Sequence, residues 1–235
     1  MEKINNVQLK EVVRDFLLTP SPTQPLIVWG KSGTGKTAII EGVIREMQFY
    51  KLLKEEQVFS QSDIKLYKNK IGPFNSNFTV KNAFDDLFSC CRMISTEKSD
   101  ISHFIIQANI KDEDADLAII DAVNQQCNAL SYKYELSVQD WCEWAYDTRK
   151  IHSCFVRFVR ENPQWLHFYS KECDRYTTPE LWESASKEIY AKLAVSEKIH
   201  DIYDSLCHCV SLFVYPAYED FCHWIETLRG KQSKN

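Results

Sequence analysis

Apolar positions along the chain fall into short runs whose period changes several times. Val7, Val12, Val13, Phe16 and Leu17 sit at mixed helical spacing and predict a short amphipathic helix within residues 2–18. Thr19-Pro20-Ser21-Pro22-Thr23-Gln24-Pro25 ends it, because closely spaced prolines cannot continue a helix. Leu26-Ile27-Val28-Trp29 is a continuous apolar run, the pattern of a strand buried on both faces of a parallel sheet. Helical periodicity returns at Ile39, Ile40, Val43, Ile44 and Met47 and ends near Lys54. Gln57-Val58-Phe59-Ser60 fits a short strand, residues 61–79 read as polar with a Gly72-Pro73 turn, and Val80 to Ile94 reads as a helix. Phe104-Ile105-Ile106 predicts a second core strand, ending at Gln107-Ala108-Asn109. The acidic stretch Lys111 to Asp116 reads as a solvated loop, and Leu117 to Cys127 fits a helix or a strand. Leu130, Tyr132, Tyr134 and Leu136 alternate with polar neighbours, which predicts a strand.

After Ser137 the pattern is helical alone. Ser137-Val138-Gln139-Asp140 resembles a capping box ahead of Trp141, Trp144 and Ala145. Phe155, Val156, Phe158 and Val159 continue the helical pattern to Pro163. Thr178-Pro179-Glu180 supplies an N-cap, a proline at the first helical position and an acid in the first turn. Two further helices are expected at about 196–210 and 217–229. The expected organisation is an α/β part over residues 1–136 and an all-α part over 137–235.

Composition narrows the function classes. A chain of 235 residues with 44% apolar content buries one sizeable core and a smaller second one. A formal net charge of −5 gives no whole-protein reason to bind nucleic acid. Lys65, Lys68, Lys70 and Lys81 are read as a solvated face, since no nucleic-acid reader motif accompanies them. No apolar stretch approaches the about 20 residues that span a bilayer, and Met1 to Asn6 lacks the apolar core of a secretory signal. A cytoplasmic setting is expected, with the nine cysteines as free thiols packed chiefly as small hydrophobes. Cys207-His208-Cys209 with Cys222-His223 has zinc-ligand chemistry, but i and i+2 on a helix point apart, which favours the core reading.

Glycine concentrates the chemistry. The chain has six glycines, and Gly30, Gly33 and Gly35 lie within one short stretch. Gly30-Lys31-Ser32-Gly33-Thr34-Gly35-Lys36-Thr37 matches the phosphate-binding loop G-x-x-x-x-G-K-[ST], with a strand before it and a helix after it. Glycine lets the backbone turn its N–H groups toward a β-phosphate, and the helix N-terminus adds to that field. Lys36 is expected on the β- and γ-phosphates, and Thr37 on Mg²⁺. ATP with Mg²⁺ is the expected ligand. Hydrolysis further needs an acid that holds the cation and a group that orients water. Leu117-Ala118-Ile119-Ile120-Asp121 is a candidate apolar run ending in an acid, although Leu117, Ile120 and Val123 also fit a helix, the reading favoured by their spacing.

Gly30 to Thr37 resembles the Walker A element of AAA+ ATPases. Asp140-Trp141-Cys142-Glu143-Trp144-Ala145 resembles the D-W-x-x-W-A segment of MoxR-like AAA+ ATPases of bacteria and their phages. Asn162-Pro163-Gln164-Trp165-Leu166-His167 and Thr178-Pro179-Glu180-Leu181-Trp182-Glu183 resemble that family's next two segments, in order, so the likeness covers most of 26–195. It implies a P-loop parallel-sheet core followed by an all-α lid, and the host cytoplasm if the protein is a phage one. Asn109 then falls at or beside the sensor-1 position, which positions the attacking water. The same alignment expects the Walker B acids near Lys70 to Phe78, where no Asp-Glu pair occurs. It expects an arginine finger near Gln125 to Asn128, where no Arg occurs, and a lid arginine where Glu180 stands. A carboxylate there repels a γ-phosphate.

The resemblance therefore implies an ATP-binding AAA+-like protein in a remodelling, assembly or regulatory role, with hydrolysis weak or dependent on a partner subunit. A protein partner, or assembly into homo- or hetero-oligomers, goes with that reading. Two alternatives stand beside it. One is a competent ATPase whose acid is Asp121, or Asp85 or Asp86; the other is an interaction protein that retains the fold. A small-molecule kinase is disfavoured, because no arginine-rich lid is evident.

Overall fold

The computed structural model describes residues 1–19, 22, 24–53, 64–67, 103–110, 120–121, 124, 128–170, 172–173, 175–195 and 202–232. The chain forms two compact units, Met1–Glu135 and Leu136–Asn235.

The first unit is built on five parallel strands: β1 (Glu2–Ile4), β2 (Leu26–Lys31), β3 (Ile64–Tyr67), β4 (His103–Ile110) and β5 (Leu130–Tyr134). Their order across the sheet is β1-β5-β2-β4-β3. The apolar run at 26–29 lies at its centre, hydrogen-bonded to β4 on one side and β5 on the other. Leu26, Ile27 and Val28 are fully buried, which explains why this strand shows no polar alternation. Helices α1 (Asn6–Leu18) and α2 (Lys36–Leu53) follow β1 and β2 and pack against each other.

Local sequence explains the helix starts. Asn5 accepts from the N–H groups of Val7 and Gln8, and the Gln8 side chain accepts from the Asn5 N–H, a complete capping box. Leu9, Val13, Phe16 and Leu17 form the buried stripe of α1, whereas Val7 points to solvent at 61% exposure. The amphipathic helix expected within 2–18 forms over Asn6–Leu18, and residues 2–4 ahead of it form a short strand. The strand forms because β5 offers a free edge, a partner too distant in sequence for periodicity to reveal. A second difference lies within 61–79, read as polar, where Ile64–Tyr67 pairs with His103 to Ile106 as β3. The readings for 57–60, 80–94 and 111–116 lie outside the described residues, as do Lys68, Lys70 and Lys81.

The second unit contains α3 (Val138–Thr148), α4 (Ser153–Glu161), α5 (Pro179–Val195), α6 (Ile202–Phe213) and α7 (Tyr218–Gln232). Ser137 caps α3 by accepting from the Asp140 N–H at 3.0 Å, and Thr178 accepts from the Leu181 N–H at 3.2 Å at the start of α5. The pattern of helices alone is incomplete here. Phe168–Ser170 (β6) and Arg175–Thr177 (β7) pair as an antiparallel hairpin, with Tyr169 stacked on Tyr176 at 4.6 Å. Three-residue strands are too short to leave a period in the sequence.

Tryptophans and phenylalanines make the core of this unit. Trp141, Phe155, Phe158, Trp182 and Phe221 are all buried. Trp144 and Trp165 are partly buried against that core, so these aromatic side chains pack the unit internally. Cys142 and Cys209 are buried among them as free thiols. Among the described residues no group of three or more His, Cys, Asp or Glu stands together to hold a metal ion, Cys207 and Cys222 included.

Candidate nucleotide-binding site

The centre of the first unit carries the phosphate-loop residues between the end of β2 and the start of α2. Two features of the loop need glycine. Gly33 and Gly35 adopt φ of 71° and 85°, the left-handed region that disfavours a side chain. Backbone that turns in this way forms an anion-binding concavity of successive N–H groups. Gly30 is required for a different reason, because a Cβ there meets the Tyr134 carbonyl oxygen of β5 at 2.7 Å. Gly30→Ala is expected to push β5 from β2 and cost about 1–3 kcal/mol, read as a lowered midpoint in thermal unfolding.

Lys36 occupies the middle of the loop and is only 2% exposed. Its Nζ donates to the carbonyl oxygens of Gly30 at 2.9 Å and Lys31 at 2.6 Å, and lies 3.5 Å from Thr34 Oγ1. Thr34 Oγ1 donates in turn to the Lys31 carbonyl at 2.8 Å. Burial pushes the Lys36 ammonium down from 10.5 to about 7, since desolvation disfavours the charged form. A desolvated ammonium held, among the described residues, by loop oxygens is poised for an anion, and the donor set fits a phosphate.

Thr37, at the first turn of α2, donates from Oγ1 to Gln107 Oε1 at 2.8 Å. Gln107 is buried at 3% exposure on β4, in register with Val28 of β2. Asn109 lies two residues on, on the same face of β4, 8% exposed and in register with Gly30. The structure thus brings Gly30, Lys36, Thr37, Gln107 and Asn109 to the C-terminal edge of β2 and β4. Sequence reasoning named all of these except Gln107. The period of two along β4 was the available signal, since residues 107 and 109 share a face. His103, on that face too, has its Nε2 3.0 Å from the Thr19 carbonyl oxygen and its ring edge-on to Phe16, a structural setting away from the loop.

Ile120, Asp121 and Asn124 have helical backbone, with Ile120 buried and Asp121 exposed. The ambiguity over 117–127 is settled as helix at these described positions. Lys70 to Phe78, Asp85 and Asp86 lie outside the described residues. Neither β3 nor β4 contains an acid along its own length. Glu180 is exposed in the first turn of α5, where a carboxylate complements the helix dipole.

No protein-family model matches this chain, and no curated protein matches it. Solved structures do. The structure of the Aeropyrum pernix ORC2 protein in its ADPNP–ADP complexes matches at a TM-score of 0.51 and 10% identity, over 88% of this chain and 67% of that one. The ADP form of the Aeropyrum pernix ORC2 protein matches at 0.48 and 11% identity, over 87% and 66%. This chain spans about two thirds of the length of those chains. Among the described residues no helix is long and apolar enough to cross a membrane. A parallel sheet with the Gly30–Thr37 loop at the end of its central strand, followed in the chain by a mainly helical unit, is a fold similar to that of the ORC2 protein.

Proposed function

We propose that this protein binds ATP with Mg²⁺ at Gly30 to Thr37, and that it hydrolyses ATP weakly or only with a partner subunit. The carrying observation is Lys36, an ammonium buried at the centre of the loop and held only by oxygens of that loop among the described residues. A buried cation gains most from an anion that enters the loop. The Aeropyrum pernix ORC2 structure in its ADPNP–ADP complexes supports a nucleotide as that anion. Thr37 would hold the Mg²⁺, which neutralises charge on the β- and γ-phosphates, and Asn109 beside Gly30 would orient water.

Several features support the hydrolytic part of the reading. The strands on this side of the sheet contain no acid over 64–67 or 103–110, and Glu180 stands where the MoxR-like pattern has a positive charge. Loss of such groups slows phosphoryl transfer by several orders of magnitude. A protein of this kind uses ATP as a ligand-linked switch in an assembly or regulatory role of the MoxR-like type.

The test joins equilibrium ATP binding to phosphate release. The full chain is expected to bind ATP and to release phosphate no faster than Lys36→Ala. Absence of ATP binding would remove the assignment of the loop, and robust turnover by the protein alone would remove the weak-hydrolysis part.

A further inference from the structure

We propose that His152 is an acid-sensitive latch of the helical unit: as a neutral ring it caps α4 and holds the start of that helix against α5, and on protonation it lets the first turn of α4 open. The latch is independent of the nucleotide-binding reading above.

His152 stands at the N-cap of α4 with extended backbone, φ −61° and ψ 133°. Its carbonyl oxygen accepts from the N–H groups of Phe155 at 2.9 Å and Val156 at 3.2 Å, and its ring Nδ1 accepts from the Cys154 N–H at 3.3 Å. Its own N–H donates to Ser186 Oγ at 3.0 Å, and that fully buried hydroxyl donates to the Trp182 carbonyl at 2.8 Å. The ring lies 5.7 Å from both Phe155 and Tyr190. A cap of this kind works only with Nδ1 unprotonated, because an imidazolium has two N–H donors and no acceptor. Protonation also sets a positive charge at the positive end of the helix dipole. Burial disfavours that charge and holds His152 below its ordinary 6.5. The titratable neighbours from α4 and α5 are Cys154 and Tyr190, both pushed up by burial and so neutral in mildly acidic and neutral solution. The charged side chains nearest along these elements have partners of their own. Glu183 pairs with Lys187 on α5 and Arg157 with Glu161 on α4, at 2.9 Å each, and Lys150, two residues before the cap, lies 5.9 Å from the Trp144 ring of α3.

In the unfolded chain His152 takes up its proton near 6.5, and in the folded unit only at lower pH. The stability that the neutral cap contributes is therefore complete above about pH 7. It is lost as pH falls through 6.5 toward the folded-state value, by at most about tenfold in the folding constant per pH unit. His152→Asn keeps an N-cap acceptor that does not titrate. In urea denaturation of the full chain, followed by tryptophan fluorescence, the folding constant of the wild type relative to His152→Asn is expected to fall at least about threefold from about pH 7.5 to about pH 5. Hydrogen exchange, corrected for its intrinsic pH dependence, should show residues 153–156 losing more protection over that range than α3, which contains no histidine. Parallel pH profiles for the wild type and His152→Asn overturn the proposal. So does equal loss of protection in 153–156 and in α3, a comparison that the wild type alone supplies if His152→Asn fails to fold.

Discussion

Lys36→Met is expected to weaken ATP binding about a hundredfold and to remove the part of its pH dependence that this amine contributes. The magnitude follows from the loss of charge-assisted hydrogen bonds to phosphate, together worth about 3 kcal/mol. The pH dependence follows from burial. In the ligand-free protein the Lys36 ammonium loses its proton near 7. Phosphate favours the charged form, so ATP binding takes up a proton wherever the free amine is neutral. Wild-type affinity therefore falls as pH rises from about 7 to 9, by at most about tenfold per unit. Calorimetry in two buffers of different ionisation enthalpy reads the proton uptake directly. Equal uptake in wild type and Lys36→Met would contradict the role given to this amine.

The same group carries a stability signature. Its folded-state value of about 7 lies below the ordinary 10.5, so between these the unfolded chain binds more protons and stability rises with pH. Below 7 both states hold the proton and the whole desolvation cost is present. Wild type should gain about 2 kcal/mol relative to Lys36→Met between pH 7 and 9, measured by urea denaturation without nucleotide.

The second large effect belongs to the helical unit. Trp182→Ala is expected to destabilise it by about 3–5 kcal/mol, a large share of the about 5–15 kcal/mol that holds a domain of this size. Trp182 is fully buried, with its ring 5.5 Å from Phe155 and 5.9 Å from Phe158, and Nε1 donates to the Trp165 carbonyl at 2.9 Å. Alanine leaves a cavity between these rings and orphans that carbonyl. Trp182→Phe retains most of the ring packing and should cost about 1–2 kcal/mol, chiefly for the lost hydrogen bond. Trp141, Trp144, Trp165, Trp182 and Trp224 all lie in the unit 136–235, so intrinsic fluorescence during denaturation reports mainly on it. Equal shifts for the two variants would show that the ring lies in a site that collapses freely.

Much of the candidate site is legible in the sequence, because its chemistry is local in the chain. A phosphate loop needs glycines, a lysine and a hydroxyl within eight consecutive positions, and Gly30 to Thr37 has them between an apolar run and a helical period. Capping chemistry is equally local, so Ser137 and Thr178 marked their helices correctly. What escaped was chemistry carried by pairing. Strand β1 exists only because β5 presents an edge to residues 2–4, and β3 only because β4 presents one to residues 64–67. A hairpin of three-residue strands leaves no period to read.

Gln107 shows the division most plainly. As a residue it was only the polar end of an apolar strand, and nothing within its own segment linked it to Thr37. Parallel pairing of β4 with β2 over Leu26 to Lys31 carries it to the foot of α2, where the Thr37 hydroxyl finds it at 2.8 Å. Lys36 shows the same thing in charge. The motif names the cation, but its low proton affinity comes from the surrounding unit, which removes its water and leaves it the carbonyl oxygens of Gly30 and Lys31. Residue types and short-range spacing are enough to mark Gly30 to Thr37 as the candidate phosphate loop and to place it between a strand and a helix. Register and burial act between residues far apart in the chain, and they alone set what faces Thr37 and how readily Lys36 gives up its proton.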